Sequence, residues 1–311
     1  MTSFAFIKTA IATALLLPLG ALVYLEQLPS ESTGFSPSSF LRTKNTSTTT
    51  GTTAAFPDIF PDKDLVQDLF QICKDLDKID DENYDPKDAI SDDKFELVKW
   101  ITSEFSTEVM ILKSDLDETY ASKPIIVFRG SEDFNDALVN VQIVREQSRF
   151  VNAPDDVFIH RGFQDALFEF NVTEQIEEQV MQMIEEEGEI ILSGHSLGGA
   201  LAHILAVYFA DKYPNMKVTM INVGAPRLGN KAFKTWSEEL PNLAVWRYVN
   251  RRDVVPRLIP TSLGYHHAGH LYQMHKSFVG TYYSMVYYRQ TGDGVQYARA
   301  PRGWYCKYTG F

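Results

Sequence analysis

The sequence predicts an α/β fold, a mostly parallel sheet flanked by helices, and three features predict it. Short runs rich in β-branched residues alternate with longer runs whose apolar residues recur at helical spacing, as strand–helix–strand crossovers require. The apolar run 190–192 breaks into Gly194-x-Ser196-x-Gly198 and then into the small-residue run 200–209. A buried strand, a sharp turn and a buried helix therefore follow one another. At 311 residues with 44% hydrophobic residues, the chain has material for one large domain with a sizeable core plus terminal extensions.

The N-terminal segment holds one cation, Lys8, followed by an apolar run over 9–25 that ends at Glu26. Residues 1–29 read as a signal peptide or a signal anchor, the run lying at the lower edge of a membrane span. Residues 30–60 are rich in Ser and Thr and bury too little apolar area to offset their ordering entropy, so they read as a disordered linker. Asn45-Thr46-Ser47 and Asn171-Val172-Thr173 are glycosylation sequons, relevant to a chain that enters the secretory pathway. The expected location is that pathway, with the protein secreted or anchored in an endomembrane.

The folded domain is expected over 61–311. A helix starts near Asp62, with Leu65, Leu69 or Phe70, Ile72 and Leu76 on one face. Residues 75–93 are dense in carboxylates without the spacing or glycine of a calcium loop, and read as a solvated acidic loop. Strands follow at 109–112 and 124–128. Residues 133–144 place Phe134, Ala137, Leu138 and Val141 on one helical stripe, which suits either a packed surface helix or a mobile lid. His160-Arg161-Gly162-Phe163 opens one long helical pattern that runs to Ile184 and stops at Gly188. After the Ser196 turn and its helix come strands at 218–223 and 244–250, and a C-terminal hairpin formed by 286–289 and 295–298. Ligands in such sheets bind at the carboxyl ends of strands. Ser131, Ser196 and Asp253 all lie just past predicted strand ends.

The Gly-x-Ser-x-Gly turn carries the chemistry. Glycines on either side leave room where strand and helix backbones nearly touch, so Ser196 is held in a strained conformation with its hydroxyl raised from the sheet. The helix that follows aims free N–H groups at the same place. A serine hydroxyl needs a histidine to take its proton and a carboxylate to orient that histidine, and Asp253 follows Ser196 in the expected chain order.

The net charge of −12 argues against nucleic acid, which demands clustered cations, and favours a neutral substrate. His266, His267, His270 and His275 lack Cys or paired acids at ligand spacing, so no metal is expected. His195 and His203 read as packing or hydrogen-bonding residues. The two cysteines, Cys73 and Cys306, either join the two ends of the domain or remain free thiols.

Five motifs in order, Phe128-Arg129-Gly130-Ser131, His160-x-Gly162-Phe163, Gly194-His195-Ser196-Leu197-Gly198-Gly199, Gly224-Ala225-Pro226-Arg227-x-Gly229-Asn230 and Asp253-x-Val255-Pro256-Arg257, resemble the class 3 (fungal-type) lipase family of the α/β-hydrolase superfamily. The resemblance implies the α/β-hydrolase fold, with Ser196 as nucleophile, Asp253 as the acid, the Ser131 and Leu197 amides as oxyanion hole, and the segment after Ser131 as a lid. It implies a lipase or esterase acting through an acyl-enzyme on acylglycerols or related glycerolipids, triacylglycerol lipase-like or phospholipase A1-like. No cofactor is required, and the N-terminal segment offers membrane association. The family's catalytic histidine follows the Gly264-Tyr265-His266-His267-Ala268-Gly269 motif by some tens of residues, and no histidine occurs after His275. Three readings remain at this stage: a base beyond the end of this chain, His275 or His267 in the role, or a catalytically silent lipid-binding member of the fold.

Overall fold

A computed structural model describes residues 61–77, 85–90, 94–103, 107–114, 123–130, 143–184, 188–250, 253–276, 282–291, 294–299 and 305–307, with the backbone course alone from His275 onward. All belong to one compact unit, 52–311. The N-terminal apolar segment, the Ser/Thr-rich linker, Ser131 and the lid stripe Phe134, Ala137, Leu138 and Val141 lie outside the described residues. Among the described residues no helix is long and apolar enough to cross a membrane.

Helix α1 (Lys63–Asp77) is capped by Asp62, whose Oδ1 accepts from the Asp64 and Leu65 amides at 2.8 and 3.0 Å. Strands β1 (Phe95–Thr102), β2 (Glu108–Ser114) and β3 (Pro124–Phe128) follow. Then come β4 (Arg145–Gln147), β5 (Phe158–His160), α2 (Arg161–Phe168) and α3 (Val172–Met183). The centre of the chain supplies β6 (Glu189–His195), α4 (Ser196–Lys212), β7 (Lys217–Val223), α5 (Lys231–Glu239) and β8 (Leu243–Asn250). The last elements are α6 (Val255–Leu258), β9 (His270–Lys276), β10 (Tyr282–Thr291), β11 (Gly294–Arg299) and β12 (Tyr305–Lys307).

One ten-stranded sheet has the order β1-β2-β3-β6-β7-β8-β9-β10-β11, with β12 on β10. Its centre, β3-β6-β7-β8-β9, is parallel. The flanking pairs are antiparallel, including the expected C-terminal hairpin β10–β11. Parallel central strands are covered on both faces, which is why β3 is buried at every position. Ile126 and Phe128 pack into the layer with Phe163, Leu167, Ile176 and Ala202 of α2, α3 and α4, whereas Ile125 and Val127 meet Leu69, Phe70, Cys73 and Leu76 of α1. Helix α4 is buried from Gly198 to Val207 without a break, so it lacks the polar face of an amphipathic surface helix.

Two expectations need correction. The helical pattern over 161–184 is two helices, because Asn171 between them takes a left-handed φ of 55°, a conformation Asn tolerates better than most side chains. The buried Thr173 hydroxyl then donates to the Leu167 carbonyl at 2.9 Å and ties the second helix to the end of the first. The acidic stretch 75–93 is not solvated throughout: residues 86–89 form a 3-10 turn capped by Asp85, and Asp77 turns inward to the sheet rim. Of the two alternatives for the cysteines, Cys73 takes the free one: it is a buried thiol whose Sγ lies 3.7 Å from the Ser193 Oγ.

Candidate active site

Strand β6 ends at His195 and α4 begins at Ser196, which has φ 51° and is 4% exposed. A left-handed conformation strains a non-glycine residue, and at such a turn the surrounding backbone must hold it. Here the hold is close contact. A Cβ on Gly198 would lie 2.5 Å from the Arg129 carbonyl oxygen, and one on Gly194 would lie 2.5 Å from the Gly198 oxygen. The first turn of α4 therefore rests directly on the exits of β3 and β6. The Leu197 amide belongs to that first turn, whose N–H groups have no acceptor within the helix.

Asp253 stands past the end of β8, two strands from β6 in the parallel block. Its amide donates to the Asn250 carbonyl and its Oδ1 accepts from the Val255 amide, both at 2.9 Å, so a tight turn fixes the carboxylate. Its Oδ2 faces Gly224 at the exit of β7, where φ is 67°. A Cβ there would lie 2.7 Å from the Asp253 Oδ2 and 3.4 Å from the His195 Nε2. A side chain at this position would fill the space between the two groups. Burial raises the pKa of Asp253, while the Val255 amide, His195 and Arg257 oppose that rise. Ser196 and Asp253 thus occupy the same rim of the sheet, as the strand ends predict.

The histidines separate by environment. His203, inside α4, packs at 6.0 Å from the Phe233 ring, the packing role expected of it. The His266 amide donates to the Gly229 carbonyl at 2.7 Å. His267 is half-buried, with its Nε2 2.9 Å from the Pro256 carbonyl oxygen, so that nitrogen holds the turn after Asp253. His270 starts β9 beside Trp246, with ring centroids 4.8 Å apart. His275 follows Met274, whose backbone pairs with Asn250, so it sits at the carboxyl end of β9. That is the rim reached by Asp253 one strand away.

His195 joins Asp77 through its Nδ1, and the other Asp77 oxygen accepts from the Gly130 amide at 2.9 Å. Sequence reasoning anticipated a hydrogen-bonding role for His195 and missed Asp77. A buried-facing aspartate at a helix end looks like any other acid in a run of acids.

Buried neutral imidazoles make the fold acid-sensitive. Burial lowers the pKa of His160 to about 4, against a weaker rise from Asp165, and burial followed by Arg247 lowers that of His203 to about 3. Burial and the Arg247 and Arg227 charges hold His267 well below its usual value. A depressed folded-state pKa contributes stability that is complete above the unfolded value near 6.5 and is lost as pH falls through the folded values. Melting temperature is therefore expected to fall between about pH 6.5 and 4. His160→Phe, which preserves the stack on Phe163 at 4.3 Å, should flatten part of that slope, by on the order of 2 kcal/mol. A slope identical in wild type and variant excludes His160 as a source.

Strand order, the strained serine between β6 and α4, and the acid after β8 define an α/β-hydrolase fold. Residues 125–263 match the family described as lipase (class 3). A lipase of Rhizomucor miehei is 28% identical over 190 residues, covering 60% of this chain and 49% of that protein. Phospholipase A1-Igamma2, chloroplastic, of Arabidopsis thaliana is 39% identical over 102 residues, 28% of this chain and 19% of that one. Among solved structures, a triacylglycerol lipase of Penicillium expansum superposes with a TM-score of 0.56 at 21% identity, covering 70% of this chain and 82% of that one. The chain spans about half the length, or less, of the fungal lipases it matches.

Proposed function

We propose that the protein is a serine carboxylic ester hydrolase acting on acylglycerols or related glycerolipids. The observation that carries this reading is Ser196, strained at φ 51° at the head of a buried helix, with the Asp253 carboxylate at the same rim. The Ser196 Oγ attacks the acyl carbonyl carbon while a histidine takes its proton. The Leu197 and Ser131 amides receive the developing oxyanion. Collapse of the tetrahedral intermediate returns the proton to the departing alcohol and leaves an acyl-serine. Water then repeats the sequence and releases the fatty acid. Cofactors have no part in these steps.

The base in this reading is His275. The Nε2 of His267 is engaged by the Pro256 carbonyl, whereas the β9 register carries His275 to the rim of Asp253. Both classes of curated relative, lipase and phospholipase A1, support ester hydrolysis of lipids, and the choice between triacylglycerol and phospholipid is the finer part of the proposal. Passage through the secretory pathway, as secreted or membrane-anchored protein, is proposed from the apolar segment 9–25 and the likeness to fungal lipases. The Arabidopsis thaliana relative, named as chloroplastic, marks the alternative.

Treatment with an alkyl fluorophosphonate, followed by intact mass and peptide mapping, tests the nucleophile. One adduct on the peptide containing Ser196, suppressed by a competing short-chain ester, is expected. An unlabelled protein, or an adduct elsewhere, overturns the reading.

A further inference from the structure

Three segments that are distant in sequence converge on one carboxylate. Asp77 is the last residue of α1, its side chain 16% exposed, and it reaches the rim where β3 and β6 end. Its Oδ1 accepts from the Gly130 amide at 2.9 Å, and its Oδ2 pairs with the Nδ1 of His195, the residue before Ser196. The fit leaves no slack: a Cβ on Gly130 would lie 2.7 Å from the Asp77 Oδ1 and 3.1 Å from the His195 carbonyl oxygen. A carboxylate that engages one ring nitrogen of a histidine fixes its tautomer and orientation. With Nδ1 turned to Asp77, the Nε2 edge lies beside Gly224, which the Asp253 Oδ2 also faces.

We propose that Asp77 is a positioning residue of the hydrolytic site, holding through His195 and Gly130 the alignment of the nucleophile turn with the β3 exit. The proposal rests on the reading of Ser196 as nucleophile. Rate depends steeply on such alignment, since small misplacements of a nucleophile relative to its oxyanion donors lower kcat without weakening ground-state binding. The peptide Asp77 holds leads into Ser131, and the ring it holds precedes Ser196. Losing the carboxylate releases both sides of the turn together. Asparagine, with the same shape, keeps an acceptor for the Gly130 amide but cannot serve both partners as the carboxylate does.

The test compares wild type, Asp77→Asn and Asp77→Ala on a dissolved p-nitrophenyl ester, with thermal melts to normalise for folded protein. Asp77→Ala is expected to lose about tenfold to a hundredfold in kcat with KM within about threefold, and Asp77→Asn to recover part of that loss. In parallel, 15N-histidine spectra, with His195 assigned through His195→Gln, should show its Nδ1 protonated in wild type and a mixed tautomer in Asp77→Ala. An unchanged kcat, a loss that tracks only the folded fraction, or a His195 spectrum indifferent to Asp77 overturns the proposal. An inactive wild type overturns the reading of Ser196 instead, and the imidazole spectra then decide the Asp77–His195 pairing by themselves.

Discussion

Replacing Ser196 by alanine is expected to lower hydrolysis of a short-chain p-nitrophenyl ester by at least about a thousandfold, with KM little changed. Without the hydroxyl no acyl-enzyme forms, and only binding and oxyanion contacts remain to act on a water molecule. Folding gives an independent control. The residue keeps its left-handed φ of 51° whatever its side chain, so alanine inherits the strain and glycine relieves it. Ser196→Gly is expected to melt above Ser196→Ala, both being inactive. Equal rates in wild type and Ser196→Ala would exclude this serine as nucleophile.

Removing the base should cost as much as removing the nucleophile, because the groups act as one unit. His275→Ala is expected to lose at least about a thousandfold in kcat while its melting temperature stays close to that of wild type. His267→Ala should do the reverse. It removes a half-buried ring that holds the Pro256 carbonyl at 2.9 Å, so it destabilises the fold by about 1–3 kcal/mol and spares the rate of the folded fraction. Were the two variants to exchange these phenotypes, His267 would be the base. Full activity in both would place the proton acceptor elsewhere in the protein.

Much of this site is legible along the chain because its parts are local. A strand, a Gly-x-Ser-x-Gly turn and a helix are contiguous, and steric necessity links the glycines to the close approach seen between Gly198 and Arg129. Strand ends at 128, 195 and 250 follow from runs of β-branched residues, and the parallel order places Ser196 and Asp253 on one rim by topology. The break at Asn171 was hidden, since apolar spacing continues across it and only the backbone takes the left-handed turn.

By itself, then, the sequence determined the layered α/β architecture, the strained serine and the acid that follows β8, all properties of local pattern and chain order. The tertiary structure alone decided which histidine is committed to a carbonyl, and that one acid among the many in 75–93 leaves solvent to join Gly130 and His195. The physical reason is separation. Asp77 and His195 lie 118 positions apart, and no local signal records which of several similar side chains the packing of a helix end will turn inward.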